Sequence, residues 1–322
     1  MMAHYMRLAA CTAVMLPAVA QSAEPYPTKL VKIVVPFAAG GSTDLLTRNV
    51  AQQLSETWKR PVVVENRAGA GGIVGSDYVV KSAPDGYTLL LGTNTTHAVA
   101  ATLYSKLPYD LKRDFAPVTE ISSTPLLLSV HPSIPVKSVK ELVVLARAQP
   151  GQLNFGGGIG AAAHMAMELF QSMAKVKMVH VPYKGSGPAM IDLLGGHLSL
   201  GFDAVMTTLP YAQSGKLRTL AVSSLKRSSV APHVPTVAES GYPGYEAILW
   251  FGLFAPAGTP PDIVTKVSED TARILRVPKM RETLGAQGFE IAESSPAAFT
   301  TRVDSEVAKW RKVILNAGIK LE

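Results

Sequence analysis

The segment Val31–Asp44 has the residue types and spacing that best suit the binding of an anion. An apolar, β-branched run ends at a proline, passes through Gly40–Gly41 and continues into a helical pattern. A strand that enters a helix through glycine leaves backbone N–H groups without partners at the helix N-terminus, where the helix dipole favours negative charge. The sequence therefore predicts a binding site for a carboxylate or phosphate. An ordinary strand-to-helix turn, capped by one of Ser42–Asp44, accounts for the same pattern.

The same arrangement recurs in the second half of the chain. A strand predicted at 152–156 runs into the glycine loop Gly156–Gly160, and a helix is predicted to follow at 162–174. A further glycine loop, Lys184–Pro188, follows the strand predicted at 176–182 and opens another helix. Because such loops occur in both halves of the chain, a binding site between them is favoured over a set of ordinary turns.

Motifs of the common enzyme classes are incomplete in this chain. The spacing Gly156-x-Gly158-x-x-Ala161 resembles a dinucleotide fingerprint, but no acidic residue follows about 20 residues later to hold a ribose. The 7 histidines are widely spaced, and neither His-Glu-x-x-His nor Gly-x-Ser-x-Gly occurs. We therefore predict no catalytic residue, no metal site and no cofactor. A small-molecule hydrolase or lyase is the least favoured alternative.

The first 23 residues have the pattern of an export signal. One positive charge, Arg7, precedes the apolar stretch Leu8–Leu16, and small residues then lead to a cleavage site expected between Gln21 and Glu24. The apolar stretch is shorter than the roughly 20 residues that a membrane span needs. Cleavage would remove Cys11, the only cysteine, and would exclude disulfides from the mature protein. The sequence thus predicts a protein of the periplasm.

The charge pattern argues against a nucleic-acid partner. The net charge is +7, but the basic residues are scattered, and aromatic residues make up only 7% of the chain without interleaving with the basic ones. A nucleic-acid-binding surface has a denser cluster of positive charge. A solvated basic surface explains the excess, and a positive field that draws anionic solutes toward a cleft is the functional alternative.

Strands alternate with helices along much of the chain, which is typical of an α/β fold with parallel strands. A chain that builds half of one sheet, then a second sheet, and then returns must cross twice between two lobes. We therefore predict a cleft between lobe 1, at 24–123 and 250–322, and lobe 2, at 124–249. The strands are predicted at 31–36, 61–65, 87–92, 126–130, 152–156, 176–182, 197–203 and 217–222, and the helices at 43–58, 69–81, 138–148, 162–174, 261–276, 278–286 and 296–314.

Seven segments form a recognisable set, in this order: Pro36–Asp44, Val64–Gly72, Ala83–Leu90, His180–Pro188, Asp192–Gly196, Val234–Glu239 and Gly252–Pro260. Together they resemble the substrate-binding receptor family of the tripartite tricarboxylate transporters, also called Bug proteins. Each segment alone is a weak indication, but their combination and order are specific. The resemblance covers the chain from about Tyr26 to its C-terminus.

The resemblance implies a two-lobed, type II-like periplasmic binding protein, with two parallel or mixed sheets flanked by helices. It implies a monomer that binds a small organic carboxylate and delivers it to the membrane permease subunits of a tripartite transporter. A sensory receptor that reports occupancy to a membrane kinase is the alternative. By resemblance, the first loop grips one carboxylate, two threonines lie nearby, and further residues line the opposite wall. These residues are Phe37, Ala39, Gly40, Gly41, Ser42, Thr43 and Asp44, then Thr93 and Thr95, then Gly158, Ala161, His164, Tyr183, Lys184, Gly185 and Asp203.

One loop departs from the family pattern. Relatives usually carry hydroxyl residues before the histidine that matches His164, whereas this chain has only glycine, isoleucine and alanine at 156–163. Each missing hydrogen bond to a charged group would be worth about 1.5–3 kcal/mol. Either backbone N–H groups suffice for a second carboxylate, or the distal part of the ligand is less polar. An aromatic or aliphatic monocarboxylate therefore competes with a dicarboxylate as the predicted ligand.

Overall fold

The computed structural model describes residues 26–319, so the predicted export signal at 1–23 lies outside the described residues. The strands are β1 (Val31–Val35), β2 (Val62–Asn66), β3 (Thr88–Thr93), β4 (Phe115–Val130), β5 (Asn154–Gly157), β6 (Val179–Pro182), β7 (Leu200–Ala204), β8 (Arg218–Val222), β9 (Ile248–Pro256) and β10 (Glu290–Ile291). The α-helices are α1 (Ser42–Trp58), α2 (Ile73–Val80), α3 (Ala100–Leu103), α4 (Val139–Ala148), α5 (Ala162–Ala174), α6 (Ser186–Leu194), α7 (Val205–Gln213), α8 (Pro261–Leu275), α9 (Pro278–Ala286) and α10 (Pro296–Ala317).

The strands form a mixed sheet, and its pairing divides it into two regions. The strand order is β2-β1-β3-β9-β4-β7-β5-β6. The pairs among β1, β2 and β3 are parallel, and so are the pairs among β5, β6 and β7. Strand β9 is antiparallel to β3 and to β4, and β4 is antiparallel to β7. This confirms the predicted α/β class with mixed strands. No helix within residues 26–319 combines the length and the apolar character that crossing a bilayer requires.

Strand β4 belongs to both regions of the sheet. Its residues Phe115–Pro125 pair with β9, whereas Leu126–Val130 pair with β7 and residues 127–130 also pair with β8. The sequence predicted only the strand at 126–130, and the first part of β4 was missed. Prolines discourage a strand assignment, and this part contains Pro117 and Pro125. The register with β9 shifts after Pro117, so the ladder tolerates it through an irregularity.

Local predictions differ from the structure at β9, which was not predicted as a strand, and at elements that contain glycine or are short. The glycine loop after β5 starts later than predicted, because Gly156 and Gly157 are still paired with β6. A π-turn at Thr95–Val99 and helix α3 follow β3, and neither was predicted. Strand β10 was also missed, since a strand of 2 residues leaves no readable alternation.

Helix α10 returns to the first region and seals the buried core beside β9. Phe299 packs against Phe254 and Trp250, with ring centroids 5.0 and 5.6 Å apart. The buried Trp310 donates its indole N–H to Glu306, at 2.8 Å. These residues belong to one apolar cluster that also includes Phe155 from β5. The core is therefore continuous across both regions of the sheet.

Candidate functional site

A cavity of about 700 Å³ lies between the two regions of the sheet. The side of the first region is lined by Phe37, Gly40, Gly41, Ser42, Thr43, Leu45, Thr93, Thr95, Thr124, Leu249, Ala286, Gln287 and Phe289. The opposite side is lined by Leu126, Ala161, Ala162, Ala163, Ser186, Asp203, Ala204, Met206 and Thr207. No Lys, Arg or His is among these lining residues, and Asp203 is the one carboxylate. Any anion bound here must therefore be held by dipoles and hydrogen bonds rather than by a cationic side chain.

Four helices begin at this cavity, and none of them is capped by a side chain. Their N-cap residues are Gly41 for α1, Ala161 for α5, Gly185 for α6 and Ala204 for α7. Among the other described α-helices, α4 and α10 are capped by the side chains of Ser138 and Ser295, whereas α2, α3, α8 and α9 also lack a side-chain cap, so it is the meeting of four such N-termini at one cavity that is distinctive. Uncapped first turns leave their N–H groups free for a ligand or water. The cavity is therefore surrounded by the positive ends of helix dipoles.

Asp44 stabilises the loop between β1 and α1 from the side that faces away from the cavity. Its carboxylate accepts hydrogen bonds from Gly40 N–H at 3.0 Å, Arg48 Nε at 2.9 Å and Asn66 Nδ2 at 3.0 Å. Burial alone would raise the pKa of Asp44, but these hydrogen bonds outweigh it and hold the pKa below its ordinary value. Gly40 adopts a φ of +87°, which glycine accommodates without strain. Asp44 thus shapes the turn and does not line the cavity.

Two polar groups at the cavity lack partners within the described structure. Thr93 is 2% exposed, and its Oγ1 makes no hydrogen bond there, although its N–H is held by Thr96 Oγ1 at 3.0 Å. The Oε1 atom of Gln287 is likewise buried without a partner. Leaving such groups unsatisfied costs free energy, so they are placed to bind a ligand or ordered water. Sequence reasoning missed Gln287, because it lies at the end of a helix far along the chain from every glycine loop.

Asp203 stands on the wall opposite the first loop. It follows the buried residues of β7, and its Oδ1 accepts a hydrogen bond from Ala204 N–H at 2.7 Å. Burial raises the pKa of Asp203, and the hydrogen bonds from Ala204 and Thr207 only partly oppose that effect. No Lys or Arg lines the cavity to pair with this carboxylate.

His164 supports the loop after β5 rather than facing the cavity. Its Nδ1 accepts a hydrogen bond from Gly160 N–H at 3.0 Å, and its ring stacks on His180 with centroids 3.8 Å apart. His180 in turn donates from Nε2 to the carbonyl of Gly157 at 2.9 Å. Burial, followed by the neighbouring His164, lowers the pKa of His180. The stacked pair therefore fixes both ends of the 157–160 loop.

The remaining predicted site residues lie at the edge of the cavity or outside it. Gly158 lines a smaller recess that adjoins the cavity. The Tyr183 hydroxyl donates to Asp192, and neither Tyr183 nor Lys184 lines the cavity. Ala39 and Gly185 are also absent from its lining, although Ser186 next to Gly185 contributes to it.

The two sides of the cavity touch at two glycines. A Cβ atom on Gly160 would lie 2.2 Å from Leu103 Cδ2, and one on Gly288 would lie 2.1 Å from Met206 Cγ. Each pair joins residues from opposite sides, because Leu103 follows β3 and Met206 follows β7. The absence of a side chain at Gly160 and Gly288 lets the two sides approach closely.

Within residues 26–319, no group of three or more His, Cys, Asp and Glu side chains is arranged to hold a metal.

A cavity between two α/β regions joined by long strands defines the class of two-lobed binding proteins. The comparisons with known proteins agree: the sequence profile of the tripartite tricarboxylate transporter family receptor matches residues 46–319. The chain belongs to this family of periplasmic solute receptors, as its motifs predicted.

Relatives support the assignment over nearly the whole chain. Protein BugT of Bordetella pertussis is 38% identical over 94% of this chain and 93% of its own length. The structure of Rpa4515 of R. palustris with adipate is 40% identical and has a TM-score of 0.82, covering 92% of this chain and 99% of that one. MatC from Rhodopseudomonas palustris, with bound malate, is 33% identical with a TM-score of 0.77, covering 90% of this chain and 100% of that one.

Proposed function

We propose that this protein is a periplasmic receptor that binds one small organic carboxylate in the cavity, leaves it chemically unchanged and delivers it to membrane permease subunits. One observation carries the proposal: four uncapped helix N-termini and the unpartnered hydroxyl of Thr93 surround a cavity that no basic side chain lines. Such a site favours an anion that accepts several hydrogen bonds. The carboxylates bound by Rpa4515 and MatC support this ligand class.

The energy of binding must come mainly from hydrogen bonds and from the exclusion of water. Helix dipoles contribute about 0.3–1 kcal/mol each, whereas micromolar affinity requires about 8 kcal/mol. Hydrogen bonds to a charged group contribute about 1.5–3 kcal/mol each. The backbone N–H groups of Ser42 and Thr43, with the Thr93 hydroxyl, are the donors that we assign to the ligand carboxylate.

Domain movement would supply the exclusion of water. We assign lobe 1 to 24–123 and 250–322 and lobe 2 to 124–249. In support, the pairing of β4 changes from β9 to β7 between Pro125 and Leu126, two residues beyond the start of lobe 2, so Thr124, Pro125 and their partners in β9 belong to the connection between the lobes. The hinge would then lie in β4 and in the chain entering β9. The protein would act as a monomer, since each lobe supplies one wall of the cavity.

A thermal-shift screen tests the ligand class. We expect at least one compound among di-, tri-, amino and aromatic carboxylates to raise the melting temperature, because a ligand at 100 times its Kd stabilises the folded state by about 2.7 kcal/mol. Neutral sugars and organic cations of similar size serve as the matched panel. A rise only with a sugar or a cation contradicts the proposal. Turnover of the bound carboxylate, followed by NMR over hours, would show instead that the protein is an enzyme.

The Asp44→Ala variant tests the hydrogen bonds by which Asp44 holds the first loop in place. We expect carboxylate affinity to fall about tenfold and the free energy of unfolding to fall by about 2 kcal/mol, because Gly40, Arg48 and Asn66 each lose a hydrogen-bond partner. Calorimetry and urea denaturation measure the two effects. Asp77→Ala is the matched control, since Asp77 also pairs with a cation four residues later, Lys81, on a helix that does not line the cavity. Unchanged affinity of Asp44→Ala would remove Asp44 from the binding function.

A further inference from the structure

A small recess extends the cavity into the second region of the sheet. It has a volume of about 40 Å³ and shares its mouth with the main cavity at Ala161, Ala163, Ser186 and Asp203. Beyond the mouth, it is lined by glycines of β5 and β7 and by apolar side chains of α6 such as Leu193. One water-sized group needs about 10–15 Å³ on this scale, so the recess accommodates a chain end of two or three carbon atoms.

The recess exists because side chains are missing from one face of the sheet. Side chains alternate along β7, so Gly201 and Asp203 share the face toward α6, while Leu200 and Phe202 belong to the buried core behind it. A Cβ atom on Gly201 would have Leu193 Cδ2, at 3.8 Å, as its nearest neighbour. This is an ordinary van der Waals distance, so the Cβ atom of an alanine at position 201 would occupy part of the recess without displacing its neighbours.

The Asp203 carboxylate accepts the Ala204 N–H and so already supplies a negative charge at the N-terminus of α7, which disfavours a second one at the mouth even though α5 and α6 also begin on this wall. Asp203 stands at the mouth, and no Lys, Arg or His lines either the recess or the main cavity. A ligand carboxylate placed beside Asp203 would meet a like charge in a partly desolvated site, which is unfavourable. The loop at 156–163 offers no hydroxyl side chain to offset the repulsion.

We propose that the ligand is a monocarboxylate with an uncharged, apolar end. Its carboxylate binds at the N-terminus of α1, and its apolar end enters the recess past Asp203. This inference rests on the proposed function and narrows it to one class of organic acid. It also distinguishes this chain from Rpa4515 and MatC, whose bound adipate and malate each carry two carboxylates.

Matched acids test the inference. Calorimetry at pH 7.5 compares straight-chain monoacids of three to eight carbons with the diacids of the same chain length, such as hexanoate with adipate. We expect the best monoacid to bind at least tenfold more tightly than its diacid. In Asp203→Asn we expect the affinity for the diacid to rise at least tenfold relative to the affinity for the matched monoacid. Asp304→Asn, on the exposed side of α10 beside Lys112, is the matched control and should leave both affinities unchanged.

A second variant tests the recess itself. Gly201→Val should weaken the best monoacid at least tenfold and leave a homologue shorter by two or three carbons within threefold, because only the longer chain reaches the recess. Gly201→Ala should show a smaller loss of the same kind, and it replaces the valine variant if circular dichroism shows that the valine variant is unfolded. An equal loss for long and short acids overturns the assignment of the recess.

The outcomes separate this inference from the proposed function. If diacids bind more tightly than monoacids to the wild-type protein, or if Asp203→Asn leaves the ratio unchanged, the inference fails while the carboxylate receptor stands. If neither monoacids nor diacids bind, and the other carboxylates of the thermal-shift screen have no effect, the proposed function fails as well.

Discussion

Replacing Ser42 by proline is expected to weaken carboxylate binding by about 10- to 150-fold while leaving the fold intact. Ser42 is the first residue of α1, and its N–H makes no hydrogen bond within the described residues, since the first helical bond runs from Leu45 N–H to Gly41 O at 3.0 Å. Proline is favoured at this helix position. The preceding residue, Gly41, has φ −79° and ψ 171°, which is the extended conformation that a following proline requires.

The variant therefore removes a proposed ligand donor with little cost to the helix. The expected loss corresponds to one hydrogen bond to a charged group, about 1.5–3 kcal/mol. Ser42→Ala is the matched control, because it removes the hydroxyl and keeps the backbone N–H. We expect Ser42→Ala to bind more tightly than Ser42→Pro in calorimetry, with both melting temperatures close to that of the wild-type protein. Binding by Ser42→Pro within threefold of the wild-type value would show that the N-terminus of α1 does not hold the anion.

Acidification is expected to destabilise the protein through His97. This histidine is fully buried behind the end of β3, stacks on Phe254 with centroids 3.8 Å apart, and contacts Thr96 Oγ1 at 2.9 Å. Burial lowers its pKa to about 3, from an ordinary value of about 6.5. Between these two values the unfolded chain binds a proton that the native protein does not, so the free energy of unfolding decreases as the pH falls.

The effect is large enough to measure by urea denaturation. One proton corresponds to about 1.4 kcal/mol per pH unit, so we expect a loss of about 2 kcal/mol from this group between pH 6 and 4.5. In His97→Gln the free energy of unfolding should depend less steeply on pH, by the amount that corresponds to nearly one bound proton. His233→Gln, at an exposed position, is the control and should keep the wild-type slope. Equal slopes in the wild-type protein and His97→Gln would contradict a buried neutral histidine.

The family and the first loop could be predicted from the sequence because both depend on local information. The sequence motifs around Gly40–Gly41 and Lys184–Pro188 are contiguous in the chain, and the profile match at 46–319 confirms the family that they indicate. The α/β class also followed from local alternation of strands and helices, which predicted parallel strands and not the antiparallel pairing of β9 with β3 and β4. By contrast, the first part of β4 was missed, because its stability comes from pairing with β9, more than 100 residues away in sequence.

The candidate site likewise combines residues that the sequence could indicate with features that only the structure shows. Sequence reasoning proposed His164 and Asp44 as ligand contacts, and the structure places both behind the loops of the cavity, where they hold Gly160 and Gly40. Residues of the right type near a glycine loop can serve either purpose, and only the direction of the side chain distinguishes them. Gln287 was missed for the opposite reason, since it reaches the cavity from a helix that carries no motif.

By itself, the sequence determined the type of protein, the alternation of its elements and the glycine loops that precede several helices, since these depend on neighbouring residues. Only the tertiary structure decided that four helix N-termini without side-chain caps meet at one cavity, that Asp203 lies at the mouth of a recess, and that glycines at 160 and 288 let the two sides touch. Those features arise from contacts between residues far apart in the chain. Local sequence patterns do not indicate such contacts, because the contacts depend on how all the elements pack together.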